Sequence, residues 1–195
     1  CDVEATVAQI KSLEEAGCEI VRIAVPDQEA VSKIPEIKKR INLPLIADIH
    51  FHYQLAVEAM KHGVDGIRIN PGNMAGDKIR EIIKTAKERD VVIRIGVNAG
   101  SLQKDMVLQY GGVTAEALAM SALKSIELFE EENFGRIKLS LKSSDVPVMI
   151  EAYRSIAEKT DYPLHLGVTE AGTLVDAAIK SALGIGTLLY QGIGD

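Results

Sequence analysis

Gly63-Val64-Asp65-Gly66-Ile67-Arg68-Ile69-Asn70-Pro71-Gly72-Asn73 is the stretch on which the fold turns. Its centre predicts a strand, with Ile67 and Ile69 alternating with Arg68 and Asn70. Parallel strands covered on both faces are near-continuously apolar. This one is apolar on one face and strongly polar on the other, and Pro71-Gly72 then turns the chain. A cation and an amide on the inner face of a parallel strand need a chemical reason.

Outward from it, helices and strands are expected to alternate. Helices are predicted from Val3 to Glu15, from the Pro26-Asp27 turn to about Arg40 with a kink at Pro35, and from Tyr53 to Lys61. Further helices are predicted at Asp77–Arg89, at Ala115–Glu132 behind an N-capping Thr114, at Asp145–Lys159, and from about Gly172 onward. Strands are expected at Glu19–Val25, Pro44–Ile49, Gly66–Asn70, Val91–Val97, Arg136–Lys142 and Pro163–Val168, with an irregular piece from Leu102 to Val113. Seven helices alternating with six strands imply right-handed βαβ units. The expected fold is α/β: a (β/α)₈ TIM-barrel domain over 1–195, incomplete, with its first and last strands missing. The rival is an open doubly wound sheet. Its glycine-rich loop has only Gly184-Ile185-Gly186 to match it, and that lies inside a predicted helix.

The bulk numbers narrow the function. The chain has 195 residues and a net charge of −6, which disfavours nonspecific nucleic-acid binding. No apolar run approaches the ~18 residues of a membrane span. The opening Cys1-Asp2-Val3-Glu4 is unlike a signal peptide. Cys1 and Cys18 have neither CxxC spacing nor histidines close by in sequence, so no metal site and no disulfide framework is expected from them. The cytoplasm is the expected compartment.

Alternate residues of a barrel strand point inward. The outward set is apolar throughout: Val21, Ile23, Val25; Leu45, Ala47, Ile49; Ile67, Ile69; Ile93, Ile95, Val97; Ile137, Leu139, Leu141; Leu164, Leu166, Val168. The inward set includes Arg22; Asp48 and His50; Arg68 and Asn70; Arg94 and Asn98; Lys138, Ser140 and Lys142; His165, Gly167 and Thr169. It holds five cations and one carboxylate, although the chain as a whole is acidic. An unpaired buried charge costs several kcal/mol. Water or an anionic ligand must therefore balance these cations, and arginine forks suit phosphate. A small ligand with more than one phosphate is expected, with backbone N–H donors at Gly100-Ser101 and Gly172-Thr173 as helpers. The competing view is that these are internal ion pairs, with Asp48 simply pairing Arg22 or Arg68. His50-Phe51-His52 has the form of a metal-binding HxH, but later strand ends lack the histidines a metal-dependent hydrolase would add. Glu170, just past a strand, stands where barrel catalytic groups sit.

Several strings together resemble one family. They are Glu14-Glu15-Ala16-Gly17-Cys18-Glu19-Ile20-Val21-Arg22, Ala47-Asp48-Ile49-His50-Phe51, Ile67-Arg68-Ile69-Asn70-Pro71-Gly72-Asn73, Arg94-Ile95-Gly96-Val97-Asn98-Ala99-Gly100-Ser101-Leu102, Ser143-Ser144-Asp145-Val146-Pro147 and His165-Leu166-Gly167-Val168-Thr169-Glu170-Ala171-Gly172-Thr173. They resemble the barrel domain of the 4-hydroxy-3-methylbut-2-en-1-yl diphosphate synthases of the methylerythritol phosphate route to isoprenoids. The resemblance implies reductive opening of 2-C-methyl-D-erythritol 2,4-cyclodiphosphate, with electrons from ferredoxin or flavodoxin. It implies that Arg22, Asp48, Arg68, Asn70, Arg94, Asn98 and Lys142 bind substrate. His50 and Ser140, from the inward set, complete the expected binding list, and Glu170 is the expected catalytic residue.

The resemblance further implies a 4Fe–4S cluster, held in the family by three cysteines and a glutamate of a separate C-terminal domain, and a homodimer. This sequence has neither that domain nor those cysteines. The chain alone is therefore expected to be catalytically incompetent and to carry no metal ligands of its own. Two other functions are weighed: a pterin-binding barrel like dihydropteroate synthase, and a non-catalytic phosphate-binding module.

Overall fold

The computed structural model describes residues 2–49 and 52–195, with the side chain of Asn73 outside the description. Five strands form one parallel sheet in the order β1-β2-β3-β4-β5, which is chain order. The chain divides into two compact units, Cys1–Ile69 with Met74–Arg94, and Asn70–Asn73 with Ile95–Asp195.

The first unit opens with α1 (Val3–Glu15), where the Asp2 carboxylate accepts the Ala5 N–H at 3.0 Å and caps the helix. Then follow β1 (Val21–Ala24), α2 (Gln28–Lys38), β2 (Leu45–Asp48), α3 (Tyr53–Lys61), β3 (Gly66–Ile69) and α4 (Gly76–Arg89). β4 (Val92–Asn98) contributes its first residues. β1 pairs β2 with Val21 opposite Leu45 and Ala24 opposite Asp48; β2 pairs β3 with Asp48 opposite Arg68. Leu45, Ala47, Ile67, Ile69 and Ile93 are fully buried with Val31, Ile34 and Ile82 from the helices, as the outward apolar set requires. At Gly66, the first residue of β3, a Cβ would lie 2.8 Å from Ile46 Cδ1 and 3.2 Å from the Val92 carbonyl oxygen.

Pro35 does lie inside α2. Proline has no N–H, so the Val31 carbonyl loses its intrahelical partner. His62 takes its place: Nδ1 lies 2.9 Å from Val31 O, and since a carbonyl only accepts, that nitrogen carries the proton. His62 thus repairs a helix.

The second unit contains a 3₁₀ turn at Pro71–Asn73, the end of β4, a second 3₁₀ turn at Ala99–Ser101, α5 (Lys104–Gln109), α6 (Ala115–Glu131), β5 (Ile137–Lys142), α7 (Val146–Ala157) and α8 (Leu174–Tyr190). Thr114, Asp145 and Thr173 cap α6, α7 and α8 with their side-chain oxygens. α6 buries Leu118, Ala122 and Phe129, and α7 buries Met149, Ala152, Tyr153 and Ile156. By contrast, α8 leaves Leu174, Val175, Ile179, Leu183, Leu189 and Tyr190 exposed.

Two expectations need correction. The piece expected to be irregular from Leu102 to Val113 contains α5, anchored by the buried Met106. The expected strand Pro163–Val168 is reduced to an isolated parallel bridge, Leu139 to Leu164. Leu139 N donates to Pro163 O at 2.8 Å and His165 N to Leu139 O at 2.7 Å. A parallel ladder would next bond Leu141 N to His165 O. Instead, the Tyr153 hydroxyl of α7 accepts from Leu141 N at 3.0 Å and donates to His165 O at 2.7 Å. The phenol is wedged into the seam, and the described residues therefore hold eight α-helices and five strands where seven and six were expected.

Candidate functional site

In the first unit the polar positions form a network along adjacent strands. Asp48 Oδ1 accepts from Arg68 Nη1 at 3.3 Å, and Asp48 Oδ2 lies 3.4 Å from Arg22 Nε. The strand register makes this possible, because Asp48 is directly opposite Ala24 on one side and Arg68 on the other. One carboxylate thus serves both arginines, as the ion-pair reading expected. Arg68 is 5% exposed and Asp48 8%, whereas the Arg22 side chain on the edge strand is 45% exposed. Arg94 on β4 is 5% exposed. The Nε atoms of Arg68 and Arg94 are buried and make no hydrogen bond in the structure, while both residues have other partners. His50 lies outside the described residues, and so does Phe51 of the HxH string.

In the second unit Asn70, buried, donates from Nδ2 to Ser101 Oγ at 2.9 Å and accepts the Gly72 N–H on Oδ1 at 3.2 Å. Ser101 Oγ donates in turn to the Asn98 carbonyl at 3.5 Å. The loop after β3 and the loop after β4 are therefore tied by one amide and one hydroxyl. Gln103 packs over Gly72, where a Cβ would lie 2.9 Å from its Nε2. Glu170 is exposed and sits in the left-handed region at φ 50, a conformation most side chains avoid. Its Oε1 lies 3.9 Å from where a Cβ of Gly100 would stand, so the carboxylate reaches the same loop. Ser140 is buried and Lys142 half-buried on β5. Lys142 leans across Gly167: a Cβ there would be 2.8 Å from its Cε and its Nζ. At Gly172-Thr173 the start of α8 is already faced by its own acid, since Thr173 Oγ1 donates to Asp176 Oδ2 at 2.7 Å.

The structure thus brings Arg22, Asp48 and Arg68 together in one unit, and Asn70 and Glu170 to the Asn98–Ser101 loop in the other. The sequence reading missed the roles of Tyr153 and of the Gln103 and Ser101 side chains, which follow from contacts between distant elements. None of the expected site residues lines the recess of about 370 Å³ formed by Glu130, Lys159, Thr160, Asp161 and Tyr162. There Tyr162 donates to Glu130 Oε1 at 3.1 Å, and burial, then the Glu130 carboxylate, raises its pKa above the ordinary phenol value. Among the described residues no group of three His, Cys, Asp or Glu could hold a metal ion, and Cys18 donates to the Ile20 carbonyl at 3.1 Å. No helix among them is long and apolar enough to cross a membrane.

Comparison with known proteins follows the same lines. The family model described as GcpE TIM-barrel domain matches residues 1–195. A Caldanaerobacter subterraneus subsp. tengcongensis protein named 4-hydroxy-3-methylbut-2-en-1-yl diphosphate synthase (flavodoxin) is 60% identical over 195 residues, covering 100% of this chain and 55% of that protein. One of the same name from Thermodesulfovibrio yellowstonii is 57% identical, covering 100% of this chain and 56% of its own length. The chain therefore spans about half the length of the curated relatives it matches. Among solved structures, a Xanthomonas albilineans dihydropteroate synthase superposes with TM-score 0.68 at 15% identity, over 98% of this chain and 77% of that one. A type I 3-dehydroquinate dehydratase from Clostridium difficile gives TM-score 0.68 at 17% identity, over 94% and 76%. At such identities the likeness is one of fold.

Proposed function

This chain belongs to the GcpE TIM-barrel domain family, and from that premise we propose that it is the substrate-binding barrel of an enzyme that reductively opens 2-C-methyl-D-erythritol 2,4-cyclodiphosphate to 4-hydroxy-3-methylbut-2-enyl diphosphate. The observation that carries this reading is the burial of Arg68 and Arg94, two guanidinium groups on β3 and β4. Guanidinium forks match phosphate oxygens in a way that ammonium groups do not. Arg22, Asp48 and Arg68 form the anion-binding and orienting set of the first unit. Asn70, Asn98, Ser140 and Lys142 supply the neutral donors and one further cation in the second. His50 joins the proposed ligand set from the sequence alone, two residues after Asp48.

Glu170 is the proposed proton carrier. Its side chain reaches the Gly100 loop, and a protonated carboxyl group there can give its proton to a leaving hydroxyl, which departs as water. The relatives' names point to flavodoxin as electron donor, and ferredoxin has the same chemical competence. A 4Fe–4S cluster belongs to the proposed reaction. Among the described residues no group of three His, Cys, Asp or Glu could hold one, and its proposed ligands are those of a separate C-terminal domain, as the family resemblance implies. A homodimer in the cytosol completes the proposal.

The pterin-binding alternative is not favoured, because relatives more than half identical over the whole chain carry the synthase name while dihydropteroate synthases share only the fold. The test is calorimetric titration of this chain with the cyclodiphosphate, with 6-hydroxymethyl-dihydropterin diphosphate and with inorganic sulfate. Saturable binding of the first alone, with no turnover when reduced flavodoxin is added, is the expected result. Preference for the pterin, or equal weak binding of every anion, contradicts it.

A further inference from the structure

Two buried features of the second unit converge on Lys142. The first is the wedge of Tyr153. Its ring is fully buried, and its hydroxyl stands between Leu141 N and His165 O, where a parallel ladder would place one direct bond. Two hydrogen bonds in series span a wider gap than one of about 2.9 Å. The chain after Leu164 accordingly leaves the sheet, and His165–Val168 run beside β5 without forming a strand. Further along, Thr169 N donates to Ser143 O at 3.3 Å. The opened stretch is therefore bounded on both sides and centred on Leu141 and Lys142.

The second feature is Gly167, within that stretch. The Lys142 side chain occupies the space a Cβ would need there, with both Cε and Nζ 2.8 Å from the Cβ position. Gly167 has no left-handed backbone to explain it, so what the site requires is the absence of a side chain rather than backbone freedom. A phenol props the seam, and a glycine clears the floor under the lysine that lies across it.

We propose that Tyr153, with Gly167, is a positioning residue for Lys142: the buried hydroxyl holds β5 and the following segment apart, and this spacing sets where the Lys142 ammonium stands. The inference rests on the reading of Lys142 as a ligand-binding residue and deepens it. In this role Tyr153 works indirectly, from its buried position on α7. It acts from the helix side of the sheet, through the Leu141 amide, on the adjacent residue of the strand.

The test uses this chain and two probes, the cyclodiphosphate and inorganic diphosphate, titrated by calorimetry. Lys142→Met should weaken binding about tenfold or more, the loss of one hydrogen bond to a charged group. Tyr153→Phe keeps the ring and removes the oxygen, and should weaken binding by a similar factor. In the Lys142→Met background the same change should cost nothing further, whereas in an Arg94→Lys background it should cost its full factor. Gly167→Ala should also weaken binding while leaving the melting temperature nearly unmoved, because the atoms in its way are the far end of a flexible side chain. If Lys142→Met changes nothing, the ligand reading of Lys142 fails and the proposal fails with it. If Lys142→Met weakens binding but neither Tyr153→Phe nor Gly167→Ala does, the ligand reading stands and the positioning role is overturned. A Tyr153→Phe loss of equal size with and without Lys142 likewise overturns it, since it would report general loosening. Should Tyr153→Phe not fold, the coupling of Gly167→Ala to Lys142→Met decides alone.

Discussion

The seam between β2 and β3 and the seam beside β5 place cations by opposite means. At the first, backbone bonds run unbroken through the register, Ile49 N donating to Arg68 O at 2.9 Å, and the Arg68 fork is fixed from outside by the Asp48 carboxylate. At the second, the ladder is broken by the Tyr153 phenol, and Lys142 lies over a glycine in the resulting gap. A rigid fork needs a partner to orient it. A flexible stem needs a channel to confine it. The comparison implies that the first seam is costly to disturb in stability and the second in ligand affinity.

The largest expected effect comes from removing the shared carboxylate. Asp48→Ala strips the buried Arg68 of an ion-pair partner and should lower stability by about 3 kcal/mol or more. Urea denaturation would show this as a lower midpoint at unchanged slope. A loss below about 1 kcal/mol would break the comparison, because the first seam would then not depend on its ion pair. Tyr153→Phe comes next, at about 1–2 kcal/mol for two hydrogen bonds at a buried hydroxyl.

His62→Ala sharpens the same contrast, because His62 also stands in for a missing backbone partner. It should cost about 1 kcal/mol in thermal or urea unfolding. In a Pro35→Ala background, whose new N–H can reach the Val31 carbonyl, it should cost much less. Equal costs in both backgrounds would mean that the His62 bond to Val31 contributes little.

The smallest effect belongs to an exposed ion pair, the counterpart of the buried one. Arg40 donates to the Glu4 carboxylate and holds its pKa below the ordinary glutamate value. As pH falls, the unfolded chain takes up that proton first. The contribution is therefore present above the ordinary glutamate range and is lost as pH drops through the lowered folded value. Stability profiles of wild type and Arg40→Ala should converge at acid pH and differ only slightly at neutrality, since exposed pairs contribute little.

Much of this architecture is legible in the sequence. α1 and α3 fall where helical spacing and the flanking turns put them, and Thr114 caps α6 as expected. The alternation of Ile67 and Ile69 around Arg68 is a strand that ends at Ile69, just before Asn70, and Asp48 does meet Arg22 and Arg68, because period-two alternation and register suffice to align them. Two features escaped, for different reasons. Apolar alternation at Leu164, Leu166 and Val168 predicts a strand, yet a tyrosine from the preceding helix takes the backbone partner of Leu141. α5 is a single short helix held by Met106, too brief for its periodicity to stand out. Side chains that replace backbone partners leave no local trace in the sequence.

The central claim is that the buried arginine forks on β3 and β4 bind a cyclic diphosphate. Its most direct test is calorimetric titration of 2-C-methyl-D-erythritol 2,4-cyclodiphosphate into this chain and its Arg94→Lys variant, which keeps the charge and removes the fork. Saturable binding to the first, weakened about tenfold or more in the second, is the predicted result. Equal affinity for both, or no binding to either, would contradict it.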